Sequence, residues 1–153
     1  MKVLEKKDIK VGLLKKCVDM QTQVVKNAKK AMDEAQESAN EAQHATEEMT
    51  DSFRETMQNT RDMFAKRYFQ AQNELDVLKR IPVNETDKVE TGAVIHTNQH
   101  NYYVSISLGA VDVDGTKYFA ISSQSPIYKV MEGKKKGDEF TFRNQKIKIT
   151  EVF

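Results

Sequence analysis

Tryptophan is absent from this chain of 153 residues, cysteine occurs once and proline twice. A lone cysteine, Cys17, excludes an internal disulfide or a thiolate metal cluster, and it fits a reducing compartment. Long apolar runs are missing as well. Nothing approaches the roughly 20 residues that span a bilayer, and no apolar stretch of a secretory signal follows the lysine-rich start. The expectation is a soluble, cytoplasmic protein with no membrane partner. Asn84-Glu85-Thr86 fits the glycosylation pattern, but without a secretory signal the match is read as chance.

Glycine and proline are both missing from the 69 residues between Gly12 and Pro82. With the two strongest helix breakers gone, helix is the expected state of nearly half the chain. Leu13, Cys17, Met20, Val24, Ala28, Ala31, Ala35, Ala39 and Ala42 step by three or four. So do Phe53, Met57, Thr60, Phe64, Tyr68, Ala71, Leu75 and Leu78, and this is the period of an amphipathic helix. Folding the run near Glu47 sets Ala31 against Phe64, Ala35 against Thr60, Ala39 against Met57, Val24 against Ala71 and Met20 against Leu75. Small residues then face large ones, which suits close helix packing. An antiparallel coiled-coil hairpin is expected over 1–81, with an acidic tip near 44–51, and a long dimeric rod is the competing arrangement. Thr46 would cap the second helix, with Glu47, Glu48 and Asp51 near its positive end.

The net charge is +1, but it is segregated. Residues 1–30 carry nine Lys against Glu5, Asp8 and Asp19, whereas 33–62 carry nine acids against Arg54 and Arg61. Such a chain orients itself on approach to a charged partner.

Beyond Ile81-Pro82 the pattern becomes one of alternation broken by Asn, Asp and Gly, the mark of strands and hairpins. Strands are expected around Gly92–Thr97, Tyr102–Leu108, Val111–Val113, Tyr118–Ser122, Glu139–Arg143 and Lys146–Val152. Ser125-Pro126 opens a short helix that closes at Gly133. The fold class is α+β, a helical hairpin over 1–81 followed by an antiparallel sheet with one short helix over 82–153. His96 and His100 lack a third ligand at metal spacing, and His44 is read as a surface residue. No constellation of pocket aromatics is legible.

Ile121-Ser122-Ser123-Gln124-Ser125-Pro126-Ile127, followed by Gly133-Lys134 and Gly137-Asp138, resembles the C-terminal domain of the Gre transcript-cleavage factors of bacterial RNA polymerase. The order of parts is similar too, a long coiled coil first and a small FKBP-like domain second. Ala35-Gln36-Glu37-Ser38-Ala39-Asn40 resembles a divergent Gre-like branch of Bacteroidetes. The motif likeness is specific over about 87–153.

The resemblance implies a transcription elongation factor that binds RNA polymerase at its secondary channel. Tip acids would help hold a magnesium ion (Mg2+) shared with the polymerase, which then cleaves its own backtracked RNA. The factor alone would be no enzyme and would hold no cofactor or metal. Where the family has Asp-x-x-Glu followed by Asn-Ala, this chain has Glu48-Met49-Thr50-Asp51, with the acids exchanged and no Asn-Ala after them. Glu48, Asp51 and Glu47 are the candidate tip acids. Ser125, Pro126 and Lys134 are candidates for docking on the polymerase, and Lys30, Lys66 and Arg67 for approaching the nascent RNA 3′ end. A monomer is expected. Alternatives are a regulator that occupies the channel without cleavage, a prolyl isomerase or chaperone, and a plain coiled-coil oligomerisation protein.

Overall fold

The computed structural model describes residues 5–43 and 50–153. Two long helices come first, α1 (Lys6–Gln43) and α2 (Asp51–Lys79). They precede β1 (Val94–Thr97), β2 (Asn101–Ser105), β3 (Gly109–Val113), β4 (Thr116–Ser122), α3 (Pro126–Met131), β5 (Glu139–Phe142) and β6 (Gln145–Val152). The helices end where the composition changes, just before Pro82. By packing, the chain forms two compact units, one of Met1–Met20 with Val77–Phe153 and one of Gln21–Asp76.

Within the second unit the helices run antiparallel. The Gln21 side-chain amide donates to the Ala71 carbonyl at 2.9 Å, while Ala31, Ala35 and Ser38 line one cleft with Met57, Thr60 and Phe64. Rising numbers on α1 thus meet falling numbers on α2; Ala31 and Ala35 share a cleft with Phe64 and Thr60 as small-against-large complementarity predicts, whereas Gln21, not Val24, meets Ala71. The stripe itself needs correction. Met20 and Val24 are 36% and 43% exposed, and Phe53 is 42% exposed, whereas Gln21 is buried. Leu13, Cys17 and Gln21 are buried residues of α1 in steps of four, and Gln21 rather than Met20 faces α2. Gln21 tolerates burial because its amide reaches both the Ala71 carbonyl and, at 3.4 Å, Glu74 Oε2, leaving little unpaired. Two helices alone bury only a narrow seam, so among the described residues a large ring such as Phe53 stays exposed.

The first unit holds a six-stranded sheet in the order β3-β4-β2-β1-β6-β5. Every pair is antiparallel except β2 with β4, which are parallel from Asn101↔Tyr118 to Ser105↔Ser122. The wholly antiparallel expectation therefore holds but for this pair. β4 presents apolar residues on both faces and takes an interior place. β3 offers the sheet only Val111 and Val113 as buried residues and is left at the edge.

Alternation gives the sheet two buried faces. On one, Ile95, Tyr102, Val104, Phe140, Ile147 and Ile149 pack with Ile127, Tyr128 and Met131 of α3. The other carries Val94, Tyr103, Ser105, Tyr118 and Ala120, and residues 6–20 of α1 lie against it. There the Cys17 thiol meets Ser105 and Tyr103, and a methyl group added at Gly12 would stand 3.4 Å from Val113 Cγ1. Lys16 Nζ donates to the Asp112 carbonyl, and Lys6 pairs with Glu151 at 3.2 Å. At Gly92 the chain turns back with φ +91, and a Cβ there would come within 3.0 Å of the Pro82 carbonyl oxygen. Only glycine fits that approach.

Candidate functional site

α2 begins at Asp51 with Thr50 as its cap. Thr50 Oγ1 accepts the Phe53 N–H at 3.2 Å, and the Thr50 carbonyl accepts that of Arg54 at 3.2 Å. The cap expected at Thr46 is thus supplied by Thr50, since a cap must sit immediately before the first helical residue. Asp51 stands at the first helical position with its carboxylate fully in solvent, 3.9 Å from the Arg54 guanidinium. Negative charge is favoured there by the helix dipole. Because the helices are antiparallel, Gln43 and Asp51 lie at the same end of the second unit. Glu47 and Glu48 lie outside the described residues, as do Thr46 and His44. Among the described residues no three His, Cys, Asp or Glu side chains converge on a cation position.

Lys30 is exposed on α1, in a shallow charged cleft with Lys26, Lys29, Asp33, Glu34 and Glu37. Lys66 and Arg67 are exposed on α2, and the Arg67 guanidinium lies 5.4 Å from the Phe64 ring centroid. Since Ala31 and Phe64 line one cleft, Lys30 and Arg67 fall at the same level of the helix pair. Acids are interleaved with the α1 lysines, so this is no continuous cationic stripe.

Ser125 precedes α3 in extended conformation and Pro126 follows at the first helical position, where the missing N–H of proline costs nothing. The Ser125 hydroxyl does not cap the helix. It donates instead to the Ser122 carbonyl at 2.7 Å, closing the turn that leaves β4. After Glu132, Gly133 takes φ +77, and the Gly133 N–H donates to the Val89 carbonyl at 2.9 Å. Lys134 accepts the Val89 N–H at 2.8 Å, so its main chain anchors the linker before β1. The half-buried Lys134 is first a structural residue. Lys135 and Lys136 pair with Asp87 at 3.6 Å and Glu151 at 3.3 Å. Burial alone would raise the Glu151 carboxyl, but the Lys6 and Lys136 ammonium groups outweigh it and hold the pKa below its usual value. His96 is half-buried, 3.3 Å from the Tyr118 hydroxyl, and burial lowers its pKa against the pull of Glu151. It is a packing residue of the sheet.

One feature was not legible beforehand. Tyr102, Phe119 and Phe142 line a cleft of about 450 Å³ together with Gln99, His100 and Arg143, so an aromatic pocket does exist. Its residues come from four strands and two turns. The signal that could have found it is the alignment of β2 with β4, which sets Tyr102 beside Phe119.

No protein-family model matches the chain, and no curated protein matches it. Among solved structures, GreA factor homolog 1 (Gfh1) of Thermus thermophilus is 17% identical with a TM-score of 0.37, over 89% of this chain and 94% of that one. Gfh1 of Thermus aquaticus is 18% identical with a TM-score of 0.35, over 88% and 92%.

Proposed function

We propose that the chain is a transcription factor of Gre type, one that binds bacterial RNA polymerase at the secondary channel and stimulates cleavage of backtracked RNA. The observation that carries this reading is the antiparallel pair α1–α2 with a fully exposed carboxylate, Asp51, at the start of the second helix. The motif likeness over 87–153 supports it, with Ser125-Pro126 opening α3 and Gly133 ending it. The finer likeness to the Bacteroidetes branch rests on Ala35–Asn40.

In this reading Glu47, Glu48 and Asp51 act at the tip. The magnesium held by the polymerase would activate water and stabilise charge on the scissile phosphate. Asp51, unburied and weakly paired, is free to turn toward such an ion. Ser125, Pro126 and Lys134 contact the polymerase, and Lys30, Lys66 and Arg67 lie toward the RNA 3′ end, where phosphate contacts would be salt-sensitive. The factor works as a monomer and has no hydrolytic activity alone.

Incubation with a backtracked elongation complex and magnesium should shorten the RNA. Asp51→Ala and Glu48→Ala should each slow that step by about 10- to 100-fold, the usual cost of losing a group that tunes a metal. A second reading follows from the exchanged order of Glu48 and Asp51, which changes carboxylate reach by a methylene at each position. The protein would then occupy the channel without cleavage. Binding to the elongation complex with no shortening of RNA selects that reading, and no binding at all removes both.

A further inference from the structure

The aromatic cleft of the sheet unit has an apolar floor and an exposed polar rim. Tyr102 and Ile147 are buried at its base, with Phe119, Ile121 and Phe142 half-buried along its walls. A volume of about 450 Å³ is in the range of sites that hold ligands. Around the mouth stand Gln99, His100, Arg143 and Gln145. Among the described residues none of the four side chains has a hydrogen-bond or ion-pair partner, and the His100 ring makes edge contacts alone.

Arg143 is the unusual member. It and Asn144 form the two-residue turn between β5 and β6, with φ +52 and +64. Such turns favour Gly or Asn, and a long side chain in left-handed backbone is disfavoured. Strained positions of this kind gather at functional sites. The guanidinium lies 5.1 Å from the Phe142 ring centroid, and Lys117 Nζ lies 5.2 Å from that of Phe119. Glu139 of the same hairpin is taken up by Lys146 at 2.9 Å. The mouth is therefore cationic.

We infer that this cleft binds a polypeptide segment presenting an apolar side chain beside an aspartate or glutamate. The apolar side chain enters among Tyr102, Phe119 and Phe142, the carboxylate meets Arg143, and the amides of Gln99 and Gln145 pair with peptide groups. A nucleobase is the poorer occupant. Stacking needs a free ring face, and here Lys117 and Arg143 lie over Phe119 and Phe142 while His100 meets Phe119 edge-on at 84°. The inference is independent of the polymerase reading.

The test is an NMR titration of the full chain with acetyl-Asp-Phe-Asp-amide. Amide resonances of Phe119, Ile121, Phe142 and Ile147 should move in a saturable way. Acetyl-Lys-Phe-Lys-amide and acetyl-Asp-Ala-Asp-amide should leave them in place. Arg143→Asn keeps the turn, because Asn accepts left-handed backbone, and it should weaken binding about tenfold by removing one charge pair. No movement with the acidic peptide, equal binding of the basic peptide, or unchanged affinity in Arg143→Asn would each overturn the inference. An oligouridine that moves these resonances where the peptide does not would assign the cleft to RNA and overturn it too.

Discussion

Lys10 is 1% exposed, yet its ammonium donates to the Asn84 carbonyl at 2.6 Å. Burial lowers its pKa below 10.5, opposed in part by Glu85 and Glu90. Its stem covers apolar surface at about 0.8 kcal/mol per methylene, roughly 3 kcal/mol in all. The charge-assisted hydrogen bond adds about 1.5–3 kcal/mol, while desolvating the ammonium costs several kcal/mol. Lys10→Met keeps most of the stem and removes the bond and the charge together, two changes of opposite sign. Its stability should lie within about 1 kcal/mol of wild type. Lys10→Ala also loses the stem and should cost about 2–4 kcal/mol.

The pH dependence separates charge from packing. Between the lowered pKa and 10.5 the folded lysine binds fewer protons than the unfolded one. The charge penalty is thus fully present at low pH and is relieved as pH rises through that interval. Wild type should gain stability relative to Lys10→Met between pH 7 and pH 10, the tyrosines titrating alike in both. Guanidinium chloride unfolding at fixed ionic strength measures each value. If Lys10→Met proved as damaging as Lys10→Ala, or its difference from wild type were the same at both pH values, the reasoning would be refuted.

Two further outcomes follow from single side chains. Burial pushes the Cys17 thiol up to about 11, with the Ser105 hydroxyl lowering it less. At pH 8 a disulfide reagent should label the folded protein at least about 100-fold more slowly than the unfolded chain, as the loss of thiolate alone requires, and fast labelling of the native protein would contradict this. Thr50→Ala removes the cap of α2 and should cost about 1 kcal/mol in chemical unfolding followed by circular dichroism. An unchanged midpoint would show that α2 does not depend on that bond.

Much of the helical unit was legible because its information is local. Spacing on α1 and α2 and the run of alanines opposite large residues were enough to set Ala31 against Phe64. What escaped was the phase of the seam near Gln21, since a polar residue is hidden from a hydrophobic pattern until its partner, the Ala71 carbonyl, is known. Candidate sites divide in the same way. Asp51 at a helix start and Pro126 at the head of α3 follow from short-range rules, whereas the anchoring of Val89 by the Lys134 main chain does not.

Chain composition by itself determined that most of the described residues between Gly12 and Pro82 would be helical and that alternation after Pro82 would make a sheet. Each of these rests on the conformational preference of a residue and its near neighbours. Tertiary structure alone decided that β4 would lie parallel beside β2, that Lys10 would be buried, and that Tyr102, Phe119, Phe142 and Arg143 would share one cleft. These depend on strand order and register, which arise from competition among all strands for interior places, and no short stretch of chain encodes that competition.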